Sequence, residues 1–384
     1  MKKGWQTKTL GDVLEVQNGY AFESKGFNST KGMPLIRIRS LEPGTETETR
    51  FAGDYDKKYV VKAGDLLIGM DGEFGCYEWK GEPALLNQRV CRLQGFSGEL
   101  VPRFLFYGVN DYLKAIENVT GYATVKHLSS KQILGIEFPV PSLPEQQRIV
   151  GILDEAFDGL ATATANAEKN LHNARALFES HLQSVFTQRG NGWVGKSLHE
   201  VCAITSTLVD PRKEEFLDLT HVGAGNIESK TGLFVDLKTA REEGLVSGKF
   251  LFDESTVLYS KIRPYLMKVA RPDFKGLCSA DMYPLTPFPN EITRNYLFHL
   301  LLSKGFTDYA IQGSARAGMP KVNREHLFEF KAWMPDVKRQ KELAAHLDDL
   351  HEETQRLEAI YQQKLAALEA LKKSLLHQAF SGQL

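Results

Sequence analysis

The chain has no apolar run near the roughly 20 residues that a bilayer-crossing helix needs. Behind Met1-Lys2-Lys3-Gly4-Trp5 there is no apolar stretch either, so the start does not read as a signal peptide. Cysteine is scarce: Cys76, Cys91, Cys202 and Cys278 form no CxxC pair and no pattern with histidine, which argues against a zinc site or a disulfide framework. A cytoplasmic location is the default expectation. An excess of positive charge is missing too, since 47 basic and 48 acidic residues leave a net charge of -1. A protein that coats DNA is usually basic, so a DNA partner would require local basic patches or phosphate contacts from other subunits. The catalytic signatures GxxxxGK[ST], GxGxxG after a strand, HExxH and GxSxG are absent. Asp210-Pro211-Arg212 lacks the second proline and the aromatic of an amino-methyltransferase motif. Pro335-Asp336-Val337-Lys338 resembles a fragment of a nuclease centre, but it lies at a helix entrance and reads as capping and solvated charge. The ten histidines are dispersed.

What is present is a soluble composition, 42% hydrophobic and 25% charged over 384 residues, long enough for two or more domains. It also contains a repeat. Pro141 and Pro335 stand 194 positions apart, and the same offset pairs Gln146 with Gln340, Leu153 with Leu347, Asp154 with Asp348, Leu171 with Leu365, Leu177 with Leu371 and Phe186 with Phe380. No gap interrupts the run. Upstream the match loosens: Trp5 and Leu10-Gly11-Asp12-Val13 parallel Trp193 and Leu198-His199-Glu200-Val201. The order is variable globule, helix, variable globule, helix.

The second helix spaces Leu343, Leu347, Leu350, Thr354, Leu357, Tyr361, Lys364, Leu368, Leu371 and Leu375 by fours and threes, a heptad seam weakened at Thr354 and Lys364. The first reads Ile149, Leu153, Ala156, Leu160, Ala163, Ala167, Asn170, Ala174, Leu177 in the same frame. Small residues facing large ones suit close pairing. Helices of roughly 40 residues, hence roughly 60 Å, need a partner, and in a duplicated chain the two would pair antiparallel. The rival expectation is that each helix packs on its own globule.

The globules read as mixed α/β. Arg37 and Arg39 alternate with Ile36 and Ile38 and are expected on one face of a strand; Gln88-Arg89 opens another strand; Lys126-His127 lies in a loop before a helix. In the second globule Lys261, Arg263 and Tyr265 fall on alternate positions, and Arg316, Lys321 and Asn323 cluster near a glycine turn. Arginine and the amides suit base edges and lysine suits phosphate. Any one of these residues could equally be ordinary solvated surface; their corresponding places in the two halves favour DNA.

The chain resembles the specificity subunits of type I restriction–modification systems, the HsdS family. The resemblance spans the chain and is most specific in Leu143-Pro144-Glu145-Gln146-Gln147-Arg148-Ile149-Val150-Gly151-Ile152-Leu153-Asp154-Glu155-Ala156-Phe157 and in the C-terminal Leu375-Leu376-His377-Gln378-Ala379-Phe380-Ser381-Gly382-Gln383-Leu384. The second copy departs from the Glu-Gln-Gln start with Arg339-Gln340-Lys341. The resemblance implies an α+β, pseudo-twofold duplicated fold: target recognition domains at 1–141 and 189–334, and spacer helices at 142–188 and 335–384 forming an antiparallel coiled coil. It implies a non-catalytic reader of a bipartite double-stranded DNA target. Its helices would set the gap and dock two methyltransferase subunits, with restriction/translocase subunits beyond them. The expected docking and coiled-coil residues are Gln146, Ile149, Leu153, Leu160, Leu171, Leu177, Leu347, Leu350, Leu357, Leu368 and Leu371. No cofactor is expected on this chain; S-adenosylmethionine, ATP and Mg would belong to the partner subunits. A scaffold with duplicated protein-binding domains is the alternative.

Overall fold

A computed structural model describes residues 4–119, 126–314 and 320–384. The chain divides into two compact units, 1–166 with 364–384, and 167–363. Two 45-residue helices, Leu143–Thr187 and Val337–Ser381, are each about 68 Å long at 1.5 Å per residue. Each gives one end to one unit and the other end to the other. No helix among the described residues is long and apolar enough to cross a membrane.

In the first unit a four-stranded antiparallel sheet runs Glu15–Asn18, Val90–Gln94, Leu66–Gly69, Cys76–Glu78. A second sheet pairs Met33–Ile36 in parallel with Ala84–Leu86, flanked by Arg50–Phe51 and Val60–Val61, with Phe27–Asn28 at one edge. The second unit repeats the plan. Its four strands are Cys202–Ala203, Met282–Pro287, Val257–Ser260 and Val269–Ala270, and its second sheet again has a central parallel pair, Thr220–Val222 beside Gly276–Cys278. These strands are two to six residues long and most are buried on one or both faces, so their packing and not ladder length holds them.

One helix, Pro102–Val119, backs the first sheet, where the sequence predicts Phe104 to Glu117. Its counterpart is broken into Arg294–Leu302 and Lys304–Ser314 instead of the single stretch expected over Asn295 to Tyr309. Ser303 makes the break: its hydroxyl donates to the Leu300 carbonyl at 2.7 Å and accepts from the Phe306 N–H, so it competes with the helix for both groups.

The amide side chains of Gln146 and Gln340 fix the entry of each long helix. Gln146 is fully buried: its Oε1 accepts from the Val101 N–H at 2.8 Å, and its Nε2 donates to the carbonyls of Glu99 and Pro141 at 2.7 and 2.8 Å. Gln340 makes the same three bonds to Thr293, Glu291 and Pro335, at 2.9, 2.9 and 3.0 Å. Gln146 is therefore a lock between helix and globule and has no free surface for a partner, which corrects its placement among the docking residues.

Both expectations for the long helices are met in part. Within the first unit Ile149 and Leu153 from one helix and Ala379 from the other join the globule core with Leu10, Phe104 and Phe138. Within the second, Phe178, Leu182 and Val185 join Ala344 and Leu347 among Leu198, Tyr259 and Tyr296. The helices also touch each other antiparallel in each unit: the Lys372 ammonium lies over the Phe157 ring, and Arg175 pairs with Glu358 at 2.8 Å while the Phe178 ring packs at a tilt against His351.

The seam does not keep strict heptads. Ile149, Leu153 and Ala167 are buried, but Asn170 is exposed and Leu177 is 54% exposed, its place taken by Phe178, Leu182 and Val185. On the second helix Lys364 is exposed, with Leu365 half-buried beside it, and Leu371 is 48% exposed. A nearly straight helix turns every 3.6 residues, so a 3.5-residue frame drifts by about 20° per heptad and leaves the interface within a few turns. Thr354, a weak point in the heptad reading, is buried, and its hydroxyl donates to the His351 carbonyl.

In the second unit Asp348, the repeat partner of Asp154, ties helix to globule through His299 Nε2 at 2.8 Å, Arg271 and Asn295. Asp154 instead accepts from Arg103 and from the Tyr107 hydroxyl. Burial holds both His299 and His351 below the ordinary histidine pKa, while the neighbouring His299 and Arg271 hold Asp348 below the usual carboxylate value. The four cysteines are free and buried, and burial pushes the Cys91, Cys202 and Cys278 thiols up to about 12.

The lock and the drift are testable by urea unfolding. Gln340→Ala strands one N–H and two carbonyls and should cost about 2–4 kcal/mol. Phe178→Ala should cost about 3–5 kcal/mol and Leu177→Ala less than about 1; equal losses at 177 and 178 would restore the heptad seam. The histidines predict an acid dependence. A depressed histidine pKa means the unfolded chain binds protons near pH 6.5 that the folded chain does not. Stability should be full above pH 6.5 and fall as pH drops toward the folded-state values. His299→Tyr with His351→Phe, the residues found at the equivalent positions of the first unit, should shrink that fall; an unchanged pH profile would assign it elsewhere.

Candidate nucleic-acid interface

In each unit three backbone turns meet at the end of the four-stranded sheet. In the first, the turn after Leu66–Gly69 receives two others: the Met70 N–H donates to the Arg89 carbonyl at 3.0 Å, and the Gly72 N–H to the Lys126 carbonyl at 3.2 Å. The Leu128 N–H returns to the Met70 carbonyl at 2.7 Å, so Asp71 and His127 face each other across an isolated bridge. The second unit repeats these bonds residue for residue: Lys261 to Asp281 at 3.1 Å, Arg263 to Pro320 at 2.9 Å and Val322 back to Lys261 at 2.8 Å, with Ile262 bridging Lys321. Gly72 and Arg263 occupy the same place and both have positive φ, 79° and 49°. Arginine there accepts a backbone cost that glycine avoids.

The shared frame carries different side chains. Asp71, 14% exposed, accepts from the Arg89 guanidinium and from Nδ1 of His127 at 2.6 Å; both partners are 57% exposed. Nearby, Tyr20 is half exposed, its ring packed on Phe22 and Tyr59 at 5.1 and 5.2 Å. Gly19 lets that strand end approach the 86–88 turn, since a Cβ would lie 2.0 Å from the Asn87 carbonyl oxygen. In the second unit the carboxylate belongs to Asp281, half exposed, with Lys261 at 3.6 Å and Lys321 at 3.9 Å. Tyr265 is 52% exposed in the turn that follows Arg263.

The structure therefore brings Arg89 and Lys126 together, with Gln88 exposed in the same turn as Arg89, and groups Lys261, Arg263, Tyr265 and Lys321. Lys126 also pairs with the buried Glu117 at 3.1 Å, and Lys261 is only 13% exposed, donating to the Ala280 carbonyl. Gln88 and Arg89 do not open a strand: they form the turn before Val90–Gln94. Arg37 and Arg39 are not strand neighbours either, because the strand ends at Ile36 and Ile38–Ser40 is a 3-10 turn with Ile38 packed inward. Among the described residues no hydrogen bond or ion pair joins these two arginines to the Asp71 cluster. Asn323 caps the helix Arg324–Glu329, accepting the His326 N–H at 2.7 Å, so its amide oxygen is committed to backbone. Arg316 lies outside the described residues.

Sequence reasoning missed Tyr20, Asp71 and Asp281, and it named His127 only as loop. The Asp71-Gly72 dipeptide directly after an apolar strand was a turn signal that pointed there. Arg92 shows the contrast with a structural arginine: it donates to Gln17, Asp65, Gln94 and the carbonyls of Lys58 and Val60, leaving little for a ligand.

Of the expected docking residues, Ile149, Leu153 and Leu347 are buried within their own units. Leu160, Leu171, Leu350, Leu357 and Leu368 are half-buried, and Leu177 and Leu371, equivalent in the repeat, are exposed. Among the described residues no group of three histidine, cysteine or acidic side chains could hold a metal ion.

Comparison with known proteins agrees with the duplicated frame. The EcoBI specificity subunit of Escherichia coli is 36% identical over 193 residues, half of this chain and 40% of that protein. The EcoDI specificity subunit of the same organism is 29% identical over 99% of this chain and 88% of its own length. Among solved structures, a chain from work on complex assembly and conformational transition of the type I R-M system superposes with a TM-score of 0.71 at 17% identity, covering 100% of this chain and 99% of that one. The HsdS subunit of Thermoanaerobacter tengcongensis gives 0.57 at 17% identity over 100% and 98%. The family model for the type I restriction modification DNA specificity domain matches twice, over residues 2–171 and 191–369, and the chain belongs to that family.

Proposed function

We propose that this chain chooses the DNA sequence for a type I restriction–modification complex, each unit reading one half of a split target. The observation that carries this is the pair of turn clusters: one hydrogen-bond frame, built twice, holding different donor side chains at its rim. A conserved frame with divergent tips suits two readers of different half-sites. The chain supplies no catalytic step in this reading. Methyl transfer with S-adenosylmethionine, and ATP- and Mg-dependent translocation and cleavage, belong to partner subunits. Those partners would also carry much of the phosphate contact, so a chain of net charge -1 need not be strongly basic.

The long helices would act as spacer and docking rail. Leu177 and Leu371, exposed and equivalent in the repeat, suit contact with two copies of one methyltransferase subunit. This reading predicts a ruler. Inserting one heptad into both helices adds about 10.5 Å, or about three base pairs at 3.4 Å each. Methylation-site mapping in cells expressing the lengthened chain with its methyltransferase should return both half-sites unchanged and the gap longer. An unchanged gap with intact half-sites would rule out the spacer role, and absence of any bipartite motif from the unaltered chain would rule out the function.

A further inference from the structure

The two rims share a backbone and differ in charge. In the first unit Arg89 is offset by Asp71 and Lys126 by Glu117, and His127 joins Asp71 through Nδ1. In the second, Lys261, Arg263 and Lys321 stand against the single carboxylate of Asp281, an excess of two positive charges. A phosphate is held by net positive charge, and a guanidinium neutralised by a carboxylate gives little of it. What such a guanidinium keeps is geometry. With one Nη1 hydrogen bond committed to Asp71, the Nε and Nη2 donors remain parallel on another edge. Only guanine answers two parallel donors in the major groove, with N7 and O6. The Asp71 bond also holds the His127 ring by its Nδ1 edge, which leaves Nε2 on the opposite edge, 57% of the side chain being exposed.

Resting on the proposed reading of the chain as a sequence reader, we infer that Arg89 is a specificity-determining residue that reads a guanine in the first unit's half-site. Asp71 is the positioning residue that aligns Arg89 and His127. The corresponding rim of the second unit uses Lys321 for phosphate. Base choice in the first half is therefore carried by an arginine offset by a carboxylate, and grip in the second by surplus positive charge. The two ends of one target should respond differently to salt.

The test uses the chain assembled with its methyltransferase subunit. Binding is measured at several salt concentrations to the mapped duplex and to duplexes substituted at each base pair. The unaltered complex should reject replacement of one G·C pair in the first half-site by about 5- to 150-fold. Arg89→Ala should erase that rejection at the single pair and keep it at every other position, those of the second half included, which also shows that the variant is folded. Arg89→Lys, which keeps the charge and loses the parallel donors, should do the same. Asp71→Asn should weaken the rejection at that same pair. Lys321→Ala should weaken all duplexes alike and lower the log–log salt slope by about 0.9. The inference is overturned if both Arg89 variants keep the full base profile, or if Arg89→Ala weakens every duplex equally with a lower slope. If the unaltered complex discriminates at no position, the reading of the chain as a specificity subunit fails with it.

Discussion

Two buried glutamine amides set the rest of the structure. A long helix that merely touched a globule could roll or slide, because apolar contacts are not directional. Gln146 and Gln340 prevent this: each amide is buried and satisfies one N–H and two carbonyls at the helix entry. Both the axial position and the rotation of the helix relative to its sheet are thereby fixed. Everything downstream inherits the setting, including which residues reach the core and which remain on the surface.

The same duplicated logic explains how one frame supports two chemistries. Backbone hydrogen bonds make the three-turn junction, so its geometry does not depend on which side chains it carries. The side chains are then free to diverge: Asp71 with Arg89 and His127 in one unit, Asp281 with Lys261 and Lys321 in the other. The interior shows the same freedom. Asp154 and Asp348 keep their places on the helices, while their partners are Arg103 and Tyr107 in one unit and His299, Arg271 and Asn295 in the other.

Much of this was legible in the sequence. The 194-residue offset exposed the duplication and the two long helices, and the paired glutamines were visible in it although their role was not. The heptad frame misplaces Asn170, Leu177, Lys364 and Leu371, all exposed, because it assumes a supercoil that helices built into two globule cores do not need. Arg37 and Arg39 were assigned to a strand on alternation alone, yet the strand stops at Ile36 where a 3-10 turn tucks Ile38 inward. Asn323 reads in the sequence both as a candidate base contact and as part of a helix start, and the structure commits its amide oxygen to the cap. Asp71 and His127 lie 56 residues apart, and no local pattern predicts that a carboxylate meets an imidazole across that distance. Periodicity and motif spacing report what is near in sequence; the three-turn junction is made by backbone pairing between distant turns.

In the proposed reading both rims face DNA in the same way. An electron cryo-microscopy structure of the chain, assembled with its methyltransferase, on a duplex carrying the mapped target would show it. The account predicts the 70–72, 87–89 and 126–127 turns of one unit, and the 261–263, 279–281 and 320–321 turns of the other, against the DNA at the two half-sites, with Arg89 at a guanine edge and Lys321 at a phosphate. Rims turned away from the duplex, with other surfaces of the two units in the grooves, would contradict it.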